Sequence, residues 1–433
     1  MVRLAATDPS RRIGPLFVNP GGPGSFASNA VAILSQAPHL DPEIRARFDI
    51  IGLDPRGVGL STPLRCDAAA YNTPVKFFPE TEEEFDALVK RNRAIGESCR
   101  AATGRLIDFV DTVSAARDHE AVRRALGDDK ASFLGLSYGT ELFATYAQLF
   151  PDRVRAMALD GILQHSQSVS SNLLTESTTY EATLKQFFAF CNTSNKCPLK
   201  RKDVQAVFTG LLAQAKKTPI PAPGCVGKPS LCRAQVSDED ILFAMQSTLL
   251  SVHEWPNAAV ALAEAKAGNA TLLSQRRQFA TGASVYVDSG VYSATAVACQ
   301  DWTGYTSTLA ELKQLKHIGE LASPLTQGAC QFWSIEAQCI GWPAKTTYPP
   351  APIQYKGKTP LLLVNSLYDP STSYTWAVGL KQELGDRAVL LTRNGAGHTS
   401  YLPGIENGGE AMRQMNAYLL ELTLPKAGTV VDS

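Results

Sequence analysis

Short apolar runs punctuate the first third of the chain: Pro15–Val18, Phe48–Leu53, Ala131–Leu136 and Val154–Leu159. The first two run into Asn19-Pro20-Gly21-Gly22 and Asp54-Pro55-Arg56-Gly57, the pattern of a buried strand running into a turn. Between them the apolar positions take a helical period. An acidic helical stretch runs from Glu80 to Arg93. Thr112–Leu126 reads as an amphipathic helix with Val113, Ala116, Val122 and Leu126 near one face and Gly127 to cap it. Thr140–Phe150 is a further helix, stopped by Pro151. The alternation then lapses. Residues 166–344 read as mainly helical with Pro/Gly breaks, and strand–helix order returns with strand Leu361–Asn365, helix Ser373–Leu384, strand Ala388–Leu391 and a closing helix Glu410–Leu422. This pattern predicts an α/β fold, a mostly parallel sheet with helices on both faces. Its core would be residues 1–165 and 345–433, with 166–344 inserted as a mainly helical cap.

Composition narrows the partners. The 433 residues carry 41 basic and 41 acidic side chains, and charged residues make up only 19%. No basic run offers a grip on phosphate backbones, so nucleic acid is not expected as a partner. No apolar stretch is long enough to span a membrane, and 44% hydrophobic content at zero net charge argues against disorder. The nine cysteines form no CxxC pair and no zinc-ligand spacing, so no metal is expected. Cys191/Cys197 and Cys225/Cys232 each bracket a polar or Pro/Gly-rich loop, which reads as disulfide stapling in an oxidising compartment. The sequons Asn192-Thr193-Ser194 and Asn269-Ala270-Thr271 lean the same way. Met1–Arg12 has no apolar core of a signal peptide. The expectation is an exported protein whose leader is absent from this chain; the alternative is a cytosolic protein with free thiols.

The candidate chemistry lies at the strand ends. Gly135-Leu136-Ser137-Tyr138-Gly139 matches G-x-S-x-G between an apolar strand and a helix, where a tight turn lifts the serine hydroxyl above the sheet. A serine needs a base, and the base an orienting acid, in the chain order Ser, Asp/Glu, His. His398 lies in Gly395-Ala396-Gly397-His398-Thr399 just past a strand, its small neighbours leaving the ring room to swing onto Ser137. Asp369, in Ser366-Leu367-Tyr368-Asp369-Pro370, holds the equivalent place on the neighbouring strand. His165 comes too early for that order, and His253 and His317 read as surface residues of the insertion. The Gly-rich loop Asn19–Ser25 supplies a second oxyanion donor: the Gly22 N–H, with Gly21 as alternative, paired with the Tyr138 N–H. It lacks the Gly-Lys-Ser/Thr of a P-loop and makes no GxGxxG site, so no cofactor is expected.

Five motifs in order carry a family resemblance: Asn19-Pro20-Gly21-Gly22-Pro23-Gly24-Ser25, Asp54-Pro55-Arg56-Gly57-Val58-Gly59, Gly135–Thr140, Phe150-Pro151-Asp152-Arg153-Val154 and Gly395-Ala396-Gly397-His398. Together the chain resembles the tripeptidyl aminopeptidase-like branch of the α/β-hydrolases, related to proline iminopeptidases. The resemblance implies a Ser137/Asp369/His398 triad, a helical cap, and hydrolysis near a free peptide N-terminus. It also implies cap disulfides, with Cys191/Cys197 and Cys299/Cys339 looking like two pairs; Cys330 is the candidate for the odd thiol. The family usually has further strands before the Gly-rich loop, so an edge hairpin is expected to be missing here. It also often has Tyr-Leu-Gly where this chain has Glu141-Leu142-Phe143. Glu141 would then lie on the helix under the site, with a solvated helix charge as the preferred reading. Glu254 and Asp301 are candidate anions for a substrate ammonium. The leading expectation is a serine hydrolase that releases short peptides from free N-termini. The alternatives are a carboxylesterase or small-amide hydrolase and, from another class, a non-catalytic binding protein on the same fold.

Overall fold

The computed structural model describes residues 1–36, 40–275, 279, 289–401 and 409–432. An eight-stranded sheet forms its centre: β1 (Val2–Leu4), β2 (Gly14–Asn19), β3 (Phe48–Gly52), β4 (Ala131–Leu136), β5 (Val154–Asp160), β6 (Leu361–Tyr368), β7 (Ala388–Ala396) and β8 (Val430–Asp432). The spatial order is β1-β3-β2-β4-β5-β6-β7-β8. Only β1 is antiparallel, pairing Val2 with Gly52 and Leu4 with Ile50. It provides a strand at the edge where a hairpin was expected to be missing. Neither β1 nor β8 announces itself in the sequence, because three-residue edge strands carry almost no periodic signal.

Successive residues of the central strands serve opposite faces. Phe17, Phe133, Met157 and Leu363 enter one apolar cluster, while Leu16, Leu134, Ala158 and Leu362 enter the other. α1 (Ala27–Gln36) and the last helix cover the second face through Val31, Leu34, Met415 and Leu419. On the first face lie α2 (Glu82–Thr103), α3 (Thr112–Ala125) and α4 (Tyr138–Leu149). The expected face of α3 is displaced. Thr112, Ala115, Ala116, His119 and Arg123 are buried, whereas Val113, Val122 and Leu126 are only half-buried. His119 and Arg123 pass as polar in a sequence pattern, yet their own partners let them go inside: His119 Nδ1 bonds the Ala115 carbonyl and Arg123 pairs with Glu120.

Between β5 and β6 come α5 (Val169–Thr193), α6 (Asp238–Leu249), α7 (Ser289–Asp301) and α8 (Gln331–Cys339), with further helices and a two-stranded hairpin. Their apolar side chains are continuous with the cluster on the first face of the sheet. Part of the chain before β4 joins them: Phe78 stacks on Trp333 at 4.6 Å, and the Asn92 amide donates to the Ala337 and Ile340 carbonyls. α9 (Tyr374–Leu384) and α10 (Gly409–Glu421) complete the fold.

Disulfides join Cys66 to Cys99, Cys191 to Cys197, Cys225 to Cys232 and Cys299 to Cys339, leaving Cys330 free and buried. The Cys66–Cys99 bridge had no sequence signal, since 33 residues separate its ends. Among the described residues no helix is long and apolar enough to cross a membrane, and no His/Cys/Asp/Glu group has the geometry of a metal site.

Candidate active site

The register of the parallel strands brings the strand ends to one edge. Asn19 pairs with Gly135, Leu136 with Asp160, and Asp160 with Val364. The loops that follow β2, β4, β5, β6 and β7 therefore leave the sheet together, where open α/β sheets hold their ligands.

Ser137 sits between β4 and α4 with φ 56° and ψ −127°, a conformation costly for an L-residue. Its N–H donates to the Asp160 carbonyl at 2.9 Å, and its carbonyl accepts from Thr140 N at 2.8 Å and Thr140 Oγ1 at 2.7 Å. The flanking glycines are required by contact. A methyl on Gly135 would lie 2.4 Å from the Gly139 carbonyl oxygen, and one on Gly139 would lie 2.5 Å from that of Asn19. The turn raises the Ser137 side chain over the start of α4, whose first N–H groups lack intrahelical partners and carry the positive end of the dipole.

The Gly-rich loop lies against this turn. A methyl on Gly21 would stand 2.5 Å from the Leu136 carbonyl oxygen, 2.7 Å from Ser137 Cβ and 3.0 Å from Tyr138 N. The Gly21 N–H is engaged, donating to Asn19 Oδ1 at 2.9 Å. Of the two expected donors, Gly22 is thus the one that lines the cavity with an N–H not given to Asn19.

Asp369 is fully buried in the turn after β6. Its carboxylate accepts from Ser371 N at 2.9 Å, from Thr372 N and Thr372 Oγ1 at 2.8 Å, and from His398 Nδ1 at 2.9 Å. Burial alone would raise its pKa, but the charge and hydrogen bonds around it win and hold it below the usual carboxylate value. For His398, burial pulls the pKa down while the Asp369 charge and hydrogen bond push it up; the net is a raised value. The backbone of the loop bearing His398 is pinned. The His398 N–H donates to the Leu250 carbonyl at 2.7 Å, Arg393 donates to the Ala396, Gly397 and Thr399 carbonyls, and Asp160 accepts from the Ser400 and Tyr401 amides. Gly161 keeps the ring close to the Ser137 turn: a methyl there would come 3.2 Å from His398 Cε1. Ser137 Oγ and His398 are not hydrogen-bonded among the described residues, and in unliganded enzymes this contact tightens only when substrate enters.

Ser137 opens onto a cavity of about 370 Å³ lined also by Gly22, Glu176, Trp302, Phe332 and Thr372. The sequence-derived acids do not line it. Glu141 is not a solvated helix charge; it is 1% exposed and stands 2.7 Å from Nδ1 of His165, itself buried and stacked on Tyr348 at 4.0 Å. Asp301 is fully buried and accepts from Thr112 N at 3.0 Å and Thr112 Oγ1 at 2.7 Å, which fastens α7 to the start of α3. Glu254 is exposed and bonds the Asn257 amide. The acid that does reach the cavity is Glu176, which sequence reasoning missed. Its signal was a carboxylate on the apolar stripe Leu173, Glu176, Tyr180, Leu184 of α5, all buried.

A sharp serine turn on a mostly parallel sheet, beside a buried Asp–His pair, defines the α/β-hydrolases, and residues 14–265 match the alpha/beta hydrolase fold family. Residues 324–431 match the TAP-like protein family. The chain belongs to the α/β-hydrolase family and is a serine hydrolase. It is 29% identical over 445 residues to serine protease Hip1 of Mycobacterium tuberculosis, covering 99% of this chain and 82% of that one. To the tripeptidyl aminopeptidase of Streptomyces lividans it is 29% identical, covering 90% and 72%. Carboxylesterase B of Mycobacterium tuberculosis is 30% identical, with 98% and 81% covered.

Proposed function

We propose that this chain is an exported aminopeptidase that releases short peptides from free N-termini through an acyl-enzyme. Ser137 attacks the scissile carbonyl while His398 takes its proton and returns it to the leaving amine. Asp369 orients the imidazole and stabilises its charged form. The Gly22 and Tyr138 N–H groups receive the oxyanion. Water then repeats the sequence on the acyl-enzyme. The observation that carries this reading is the buried Asp369–His398 pair at 2.9 Å, on the same sheet edge as the Ser137 turn. The TAP-like match and the aminopeptidase relative favour a peptide substrate. Four disulfides and an exposed Asn192 in a sequon fit an extracellular setting.

The carboxylesterase relative favours a second reading, since the same three side chains cleave esters. A paired assay separates the two: tripeptidyl anilides with a free amine against their N-acetylated forms, and both against short acyl esters. Preference for the free amine is expected; equal cleavage of blocked and unblocked substrates removes the aminopeptidase reading. A non-catalytic role is tested by a fluorophosphonate probe, which is expected to label the folded protein and to lose that label in Ser137→Ala.

A further inference from the structure

We propose that Asp160 is a positioning residue for His398: its carboxylate holds the loop that carries the imidazole against the Ser137 turn and adds a second negative charge near the ring. The inference rests on the Ser137/Asp369/His398 reading above. Asp160 is the last residue of β5, fully buried, and it meets both halves of the site. Its carbonyl accepts from Ser137 N at 2.9 Å. Its side chain, through Oδ2, accepts from Ser400 N at 2.5 Å and Tyr401 N at 2.7 Å. The turn that bears the serine and the loop that bears the histidine thus hang on one residue. The residues that follow repeat the link. Gly161 packs against the imidazole, and Leu163 N donates at 3.0 Å to Thr140 Oγ1, which donates to the Ser137 carbonyl.

The histidine loop is shaped to take an anion. Thr399 has φ 59°, in the left-handed region, and such a turn aims successive N–H groups to one side, the form of an anion-binding concavity. Thr399 N donates to Asp369 Oδ2 at 3.4 Å, and the next two N–H groups go to Asp160. Asp160 and Asp369 stand at the ends of the neighbouring strands β5 and β6, so three consecutive amides after His398 close on two buried carboxylates. Arg393 of β7 takes the carbonyls of the same loop, and its Nε donates to Ser400 Oγ at 2.9 Å. Hydrogen bonds to an ionised oxygen are roughly twice as strong as neutral ones, so the charge on Asp160 stiffens this clamp.

Arg393 and His398 are the charged groups that bear on Asp160, and Asp369 bonds the same imidazole. Burial pushes the Asp160 carboxyl up to about 6 against the pull of the two amides, so at neutral pH it is the anion. Its charge then adds to that of Asp369 in favouring the imidazolium.

The two effects separate by substitution. Both amides use Oδ2, and Oδ1 has no hydrogen-bond partner among the described residues. In Asp160→Asn the two donors require the amide oxygen at the Oδ2 place, so the loop keeps its acceptor and loses only the charge. Asp160→Ala loses both.

The test measures steady-state rates on a tripeptidyl anilide and the pH dependence of fluorophosphonate labelling of Ser137 in wild type and both variants. Asp160→Ala should lower kcat about 100-fold, the cost of displacing a reacting group by about 1 Å. KM should be unchanged, since Asp160 is not among the described residues that line the cavity. Asp160→Asn should recover about tenfold of that loss, the worth of two retained neutral hydrogen bonds, and its labelling limb should lie at lower pH than that of wild type. Wild-type kcat in Asp160→Ala overturns the inference, as does a loss that falls on KM or an equal loss of kcat in both variants. Should Asp160→Ala fail to fold, the limb of Asp160→Asn decides: a shift to lower pH supports the proposal, and a limb left in place rejects it. A wild type that the probe does not label at Ser137 overturns the triad reading itself.

Discussion

Three side chains carry the proposed chemistry, and each predicts a different signature. Ser137→Ala should lower the peptidase rate by about 10⁴- to 10⁶-fold, the range seen when a triad nucleophile is removed, with circular dichroism unchanged. Asp369→Asn should cost about 10⁴-fold in kcat, because the imidazole then loses its orienting acceptor and its counter-charge. The pH profile follows from the same pair. His398 must be neutral to take the Ser137 proton, and Asp369 holds its pKa above the ordinary histidine value. Activity should therefore rise with pH along a limb lying above about 6.5. Asp369→Asn should move that limb to lower pH, because the anion that stabilised imidazolium is gone; an unmoved limb would assign it to another group. Ser137, Asp369, His398 and Gly22, the residues the proposed mechanism uses, could be picked out singly because a nucleophile, an orienting acid, a base and a close-approach glycine each need a specific type at a strand end. Glu176 could not, because a carboxylate inside a helical stripe gains its meaning only from the cavity it faces.

Elements place these groups through contacts that leave no room for a methyl. Gly161, at the end of β5, has φ 74°, and a methyl there would stand 3.0 Å from Thr372 Oγ1, 3.1 Å from Thr399 Cγ2 and 3.2 Å from His398 Cε1. Gly161→Ala should displace the imidazole and lower kcat by about 100-fold, the effect of a small misplacement of a reacting group, while the melting temperature falls only slightly. Helix α7 is fixed at several points. Ser293 Oγ donates to the Gly57 carbonyl at 2.6 Å, Asp301 holds Thr112, and a methyl on Gly24 would lie 2.2 Å from the Gly290 carbonyl oxygen. The helix thus presses on the Gly-rich loop itself. Periodicity located α3, but its buried face turned on which polar residues found partners. His119 and Arg123 went inside while Val122 stayed half-buried; Arg123 pairs there with Glu120, and His119 meets the Ala115 carbonyl through Nδ1.

At the scale of the whole molecule, disulfides brace the elements that frame the cavity. Cys299–Cys339 closes a loop of 40 residues between α7 and α8. Chain entropy assigns such a closure about 4 kcal/mol, so Cys299→Ser with Cys339→Ser should lower unfolding free energy by about 2–4 kcal/mol in urea titration. The thiol count offers a further check. Cys330 is buried, and the other eight cysteines are paired. A thiol reagent should therefore find almost no reactive sulfur in the native protein and about one equivalent after denaturation without reductant. Several equivalents under those conditions would mean reduced pairs and would remove the support for an extracellular setting.

The sequence by itself determined the strand–helix alternation, the serine turn and the Ser, Asp, His order, because these depend on local period, glycine at tight turns and residue types that catalysis cannot replace. Tertiary structure alone decided which acid faces the cavity. Glu141, Asp301 and Glu254 were equally eligible by type, yet the first two are spent on His165 and Thr112 inside the protein and the third points to water. Burial, partners and cavity shape arise from segments far apart in the chain, so no local pattern could have ranked those carboxylates.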